Sequence, residues 1–76
     1  MQKIKPSGEI YEIRVKGYLD TRWKEWLYGM ILAYTPGGET TLTGELPDQA
    51  ALYGVLAKIR DLGIPLISVR RVDSDP

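Results

Sequence analysis

The sequence predicts an α+β fold, a ferredoxin-like βαββαβ sandwich. It would have a four-stranded antiparallel sheet in the order 4-1-3-2, with two helices on one face. Three observations lead there. Apolar residues alternate along 9–19, the period of a strand with one wet face. Pro36-Gly37-Gly38 separates two β-prone stretches, a hairpin signature because glycine supplies positive φ without steric cost. Leu52, Val55, Leu56, Ile59 and Leu62 recur at helical spacing, and Gly63 follows as a stop.

The elements follow in chain order. Strand 1 is expected over 9–19, with Tyr11, Ile13, Val15, Gly17 and Leu19 on one face. Ile10, Glu12, Arg14, Lys16 and Tyr18 take the other. Asp20 or Thr21 can cap a first helix, because a short side-chain oxygen accepts the orphan N–H groups of the first turn. Trp23, Trp26, Leu27 and Met30 sit at three- and four-residue spacing, and Gly29 can end the helix. At about two turns this helix cannot stand alone, so its tryptophans must dock on something.

With Gly37-Gly38 as a two-residue loop, Thr35 faces Thr40, Ala33 faces Leu42 and Ile31 faces Gly44. That register places Ile31, Ala33 and Leu42 together, with Leu32, Tyr34, Thr41 and Thr43 opposite. Asp48 is the expected N-cap of the second helix, and 64–72 reads as the last strand. Right-handed crossovers set the last strand beside the first. The expected core joins Ile13, Val15, Leu19, Ile31, Ala33, Leu42, Ile67 and Val69 to Leu52, Val55, Leu56, Ile59, Trp26 and Leu27.

Composition narrows the chemistry. The chain has 76 residues, 43% of them hydrophobic and 26% charged, with ten basic side chains balancing ten acidic ones. It lacks both Cys and His, so no disulfide, thiol nucleophile, imidazole base or nitrogen–sulfur metal site is expected, and no cofactor. Zero net charge argues against a nucleic-acid or membrane-surface grip. The longest apolar run, 30–34, is too short to span a membrane, and the N-terminus has no secretory pattern. The expectation is a cytoplasmic single domain over 1–76, with a core of 9–72 and loose ends at 1–7 and 73–76. A domain this small buries only roughly 60–65% of its unfolded surface, which makes self-association, as a dimer, a reasonable expectation.

Candidate sites are few. The sheet face without helices is expected to carry Arg14, Lys16, Leu32, Tyr34, Leu66 and Arg70 as an interface or ligand face. Leu32, Tyr34 and Leu66 would be its apolar part, with Glu12 and Arg14 pairing across a two-fold axis. Single-strand nucleic-acid binding through Arg14, Lys16, Tyr34 and Arg70 is disfavoured, because the central strand positions hold Glu, Arg and Thr instead of aromatics. A candidate pocket groups Tyr18, Asp20, Trp23 and Tyr53. Asp20 and Asp48 already have a structural role as helix caps. The glycines lie in turns and helix stops, so no phosphate cradle is formed.

Four segments resemble a family of short, stand-alone prokaryotic proteins that has no assigned activity. They are Tyr11-Glu12-Ile13-Arg14-Val15-Lys16-Gly17-Tyr18-Leu19-Asp20 with Trp23 and Trp26, and Gly38-Glu39-Thr40-Thr41-Leu42-Thr43-Gly44. The others are Asp48-Gln49-Ala50-Ala51-Leu52-Tyr53-Gly54-Val55-Leu56 and Arg60-Asp61-Leu62-Gly63-Ile64-Pro65-Leu66-Ile67-Ser68-Val69. The resemblance covers about residues 9–72. It implies a free-standing domain and brings no catalytic residue. Residues 52–69 are also similar to the helix–strand half of ligand-binding ACT domains, although Leu19-Asp20-Thr21 stands where those have a regulatory glycine. The architecture is similar to that of dimeric α+β barrel enzymes as well. Fold alone does not give function.

Three functions follow as expectations. The first is a small, self-associating, non-catalytic module that binds a protein or small molecule. The alternative is a dimeric α+β barrel-type enzyme using Tyr18, Asp20 or Tyr53 in a cleft between helices and sheet. The last is weak single-strand nucleic-acid binding on the open face.

Overall fold

A computed structural model describes residues 8–72. The expected loose ends at 1–7 and 73–76 lie outside the described residues. Four strands form one antiparallel sheet: β1 (Glu9–Lys16), β2 (Ile31–Thr35), β3 (Glu39–Leu46) and β4 (Leu66–Val72). Their order is β2-β3-β1-β4, the expected order 4-1-3-2 read from the other edge. One helix, α1 (Gln49–Asp61), links β3 to β4.

The two-helix sandwich is corrected: among the described residues there is one α-helix, not two. Where the first helix was expected, Thr21–Trp23 form a single 3-10 turn. Irregular hydrogen-bonded turns follow as far as Gly29. The Leu27 N–H bonds to the carbonyls of both Trp23 and Lys24, and the Gly29 N–H returns to Lys24 O at 2.8 Å. Trp23 and Trp26 lie three apart, and the two indoles touch at 5.1 Å between centroids. A segment this short does not repay helix nucleation. Tyr28 and Gly29 then take left-handed backbone, at φ 62° and 68°, and end the winding.

The hairpin register is also corrected. The loop has three residues, not two: Thr35 faces Glu39, Tyr34 faces Thr40 and Leu32 faces Leu42. The Gly38 N–H bonds to Thr35 O at 3.2 Å, and Gly38 sits at φ 84°, the left-handed step of a three-residue loop. Pro36 therefore belongs inside the turn. A slip of one residue exchanges the faces of a strand. Leu32 and Tyr34 consequently lie on the helix side, while Ile31 (64% exposed) and Ala33 face outward.

The remaining elements follow their caps. β1 stops at Lys16 because Gly17 turns to φ 94°. The Asp48 carboxylate accepts the Ala51 N–H at 2.8 Å and opens α1. At the other end, Gly63 N–H bonds to Arg60 O and Ile64 N–H to Ile59 O, the paired bonds of a Schellman stop. Asp48→Ala is expected to cost about 1 kcal/mol, which lowers Tm by roughly 4–8 °C in a domain of this size. A thermal melt followed by circular dichroism checks this.

The core lies between one sheet face and a cover made of α1 and the turns of 17–30. Tyr11, Ile13, Val15, Leu42 and Leu46 come from the sheet. Ala51, Leu52, Val55 and Ile59 come from α1, and Leu19, Leu27 and Met30 from the turn segment. Ile31, Ala33, Ile67 and Trp26, expected in the core, are exposed instead, while Val69 and Leu56 are half-buried against it.

Candidate functional site

The open sheet face is a ladder of charges and threonines. Across it run Ile31, Thr43, Glu12 and Arg70, and beside them Ala33, Thr41, Arg14 and Ser68. Arg70 Nε meets Glu12 Oε1 at 2.8 Å, and Arg14 Nη1 meets Glu39 Oε1 at 2.9 Å. Both arginines offered for phosphate contacts are therefore held by carboxylates of the same face. Lys16 lies opposite Glu39 and is exposed. Of the six residues expected to make an interface here, only Arg14, Lys16 and Arg70 lie on this face. Leu32 and Tyr34 have moved under the sheet with the register. Leu66 faces Val15 across a register irregularity in the β1–β4 pair, on the helix side.

The candidate pocket residues are dispersed. Tyr18 stacks edge-on against Tyr34, with centroids 5.4 Å apart, and donates its hydroxyl to Thr35 O. Asp20 accepts the Arg22 N–H at 3.0 Å and pairs with the Arg22 guanidinium, so its carboxylate serves the turn. Trp23 is half-buried against the core, and Tyr53 projects into solvent from α1. The cleft between two helices and the sheet, proposed for enzymatic use of Tyr18, Asp20 or Tyr53, has no second helix to form it.

Three other features stand out, two of them built from residues that are distant in sequence. The first is a buried polar knot. The fully buried Thr40 hydroxyl accepts the Leu19 N–H at 3.0 Å and donates to Gly17 O at 2.7 Å, and the Tyr34 hydroxyl donates to Leu19 O. This knot ties the turn segment to β2 and β3. The second is an aromatic cluster. Lys58 Nζ lies 5.5 Å from the ring centroids of both Trp26 and Tyr28. A Cβ at Gly54 would come within 3.2 Å of the Tyr28 hydroxyl. Glycine inside a helix costs about 1 kcal/mol, and left-handed backbone at a tyrosine costs about 1–2 kcal/mol more.

The third feature is a groove of about 350 Å³ between the end of α1 and the start of β4. It is lined by Leu56, Ile59, Arg60, Gly63, Ile64, Pro65 and Leu66. None of Tyr18, Asp20, Trp23 or Tyr53 reaches it. The Schellman stop makes it: the turn at Gly63 brings Ile64 back over Ile59 and leaves Leu66 and Ile67 half-exposed at the sheet edge. Among the described residues, no group of three acidic side chains is placed to hold a metal. No described helix is long and apolar enough to cross a membrane.

The family model described as "Domain of unknown function (DUF8691)" matches residues 10–70. The chain belongs to the DUF8691 family. No curated protein and no solved structure matches it. The looser likeness to ACT domains therefore finds no support in a relative or a structural neighbour. The match covers every strand and the helix of this DUF8691 chain, short of the first residue of β1 and the last two of β4, and it names no activity.

The groove and the Lys58 cluster escaped sequence reasoning. In this DUF8691 member the Lys58 cluster joins segments about thirty residues apart, and the groove forms where the chain turns back from α1 into β4. One local signal was present: Gly54 interrupts an otherwise strong helix one residue after Tyr53. A glycine there marks a close approach, and the approaching group is Tyr28.

Proposed function

We propose that this protein is a non-catalytic interaction module that pairs with a second copy of itself along the outer edge of β4. The observation that carries this reading is the state of that edge. β4 is seven residues long and, among the described residues, bonded to β1 alone, and it contains neither Pro nor Lys. Leu66 and Ile67 on it are 49% and 45% exposed. Sheet edges in monomers are usually blunted by charge, proline, bulges or a covering segment. The charges available here are engaged with carboxylates of β1. Arg70 pairs with Glu12 of β1, and Arg71 lies 3.9 Å from Glu9. The other edge, β2, has only five residues and runs directly into the Pro36 loop.

Antiparallel pairing about a two-fold axis suits this strand. Centred on Ser68, it would set Ile67 against Val69 of the second copy and keep Arg70 and Arg71 from opposing each other. The groove adjoins the edge through Leu66, which gives the second copy an apolar wall beyond the strand itself. Leu66 and Arg70 thus keep the interface role that their sequence suggests, along the strand edge and not across the open face.

Sedimentation velocity over a concentration series tests the reading. The unmodified chain should sediment as a dimer. Ile67→Glu, at an exposed position, should sediment as a monomer with an unchanged circular dichroism spectrum. A chain that stays monomeric at high concentration, or an Ile67→Glu variant that still dimerises, refutes the β4 interface.

A further inference from the structure

We propose that Trp26 and Tyr28 form a binding site for an alkylated ammonium group, and that Lys58 occupies this site in the free protein. The proposal is independent of the β4 edge and concerns the opposite cover of the core. Its basis is a convergence of features that packing alone does not require. Two rings approach one ammonium equally, each at 5.5 Å, within the range at which a ring's negative face attracts a cation. Both rings remain open to solvent, Trp26 at 41% and Tyr28 at 49%. Trp23 backs Trp26 at 5.1 Å and is itself packed against the core, which fixes the indole from behind.

The backbone is shaped around this pair. Tyr28 is the one described non-glycine residue with positive φ. Strained backbone of this kind persists where the surroundings over-determine it, and it concentrates at ligand clamps. Gly54 leaves room on α1 for the Tyr28 ring, whose hydroxyl sits where a Cβ would come within 3.2 Å. Lys58 follows one helical turn later, on the same stripe of α1.

The chemistry of the site selects the ligand class. Among the described residues Lys58 has no carboxylate partner, so the rings are what hold its charge. A site made of ring faces without carboxylates favours cations that surrender water easily. A primary ammonium is strongly hydrated. A quaternary or trimethylated ammonium is larger and less hydrated, and aromatic cages are its usual receptors. Such a group should displace Lys58, whose flexible stem can carry its own ammonium back into water.

Tetramethylammonium chloride, titrated against sodium chloride at equal ionic strength, tests this by tryptophan fluorescence. In the unmodified chain, the Lys58 ε-methylene NMR signal should also move toward its free-lysine position as the site fills. Lys58→Gln, which keeps length and removes charge, should bind tetramethylammonium at least ten-fold more tightly. Trp26→Ala in the Lys58→Gln background should abolish the response. A peptide carrying trimethyllysine, compared with its unmethylated form, separates a protein ligand from a small free one. The proposal is overturned if the Lys58 signal of the unmodified chain does not move. It is equally overturned if Lys58→Gln binds no better, or if binding survives Trp26→Ala. The NMR arm needs no variant, so a misfolded substitution does not protect the idea.

Discussion

Thr40→Val is expected to destabilise the protein by about 1–3 kcal/mol, although it changes little in volume. The side chain is fully buried, and its hydroxyl is the partner of both the Leu19 N–H and the Gly17 carbonyl. Valine would leave the buried Leu19 N–H without that partner, and an unsatisfied buried polar group costs about 1–3 kcal/mol, whereas the part-buried Gly17 carbonyl adds less. Thr40→Ser separates this cause from packing. It keeps the hydroxyl and loses one methyl, which should cost only about 1 kcal/mol. Urea unfolding at equilibrium measures both variants. If valine proves no worse than serine, the knot is not what anchors the turn segment.

Leu27→Ala should be comparably damaging, at about 2–5 kcal/mol, the cost of truncating a buried leucine. Leu27 is fully buried, yet it lies in a segment without regular structure. A loop residue at the protein surface would scarcely register such a change. The prediction therefore tests whether 17–30 is the second half of the cover over the sheet. A domain of this length has a total stability of about 4–11 kcal/mol, so the loss would be a large part of it. A change under about 0.5 kcal/mol in urea unfolding, the level expected of surface substitutions, would show that this segment packs elsewhere in solution.

The two variants also mark where the sequence was legible. Sheet order followed from a turn signal and a handedness rule, and both survive small local errors. The caps of α1 were readable because Asp48 and Gly63 act on their immediate neighbours. The hairpin register was not. Whether Pro36 stands inside or outside the loop changes nothing in the composition of the flanks, yet it exchanges every face of β2. Residues Trp23 to Met30 were misread for a related reason. Spacing by three and four reads as an α-helix, and the left-handed Tyr28 that breaks the winding is invisible in a one-dimensional pattern.

The candidate site suffered most. The apolar interface residues were assigned by strand face, so the register slip removed Leu32 and Tyr34 from it directly. Thr40 read as an ordinary strand threonine. Its role depends on Gly17 and Leu19 passing over it, 23 and 21 residues away in sequence. The groove and the Lys58 cluster each need two segments whose relative placement only the folded chain provides.

The position of β1 has a consequence for biosynthesis. β1 lies near the start of the chain, yet one of its two partners is β4, and the Glu12–Arg70 pair spans 58 residues. At a translation rate of about 5–20 residues per second, roughly 3–12 s separate the synthesis of these two ends. In the later part of that interval β3 can join β1, but the other side of β1 has no strand to receive it. The nascent chain thus carries a temporary open edge in the middle of its future sheet, and β4, made after the other three strands, is the one that closes it.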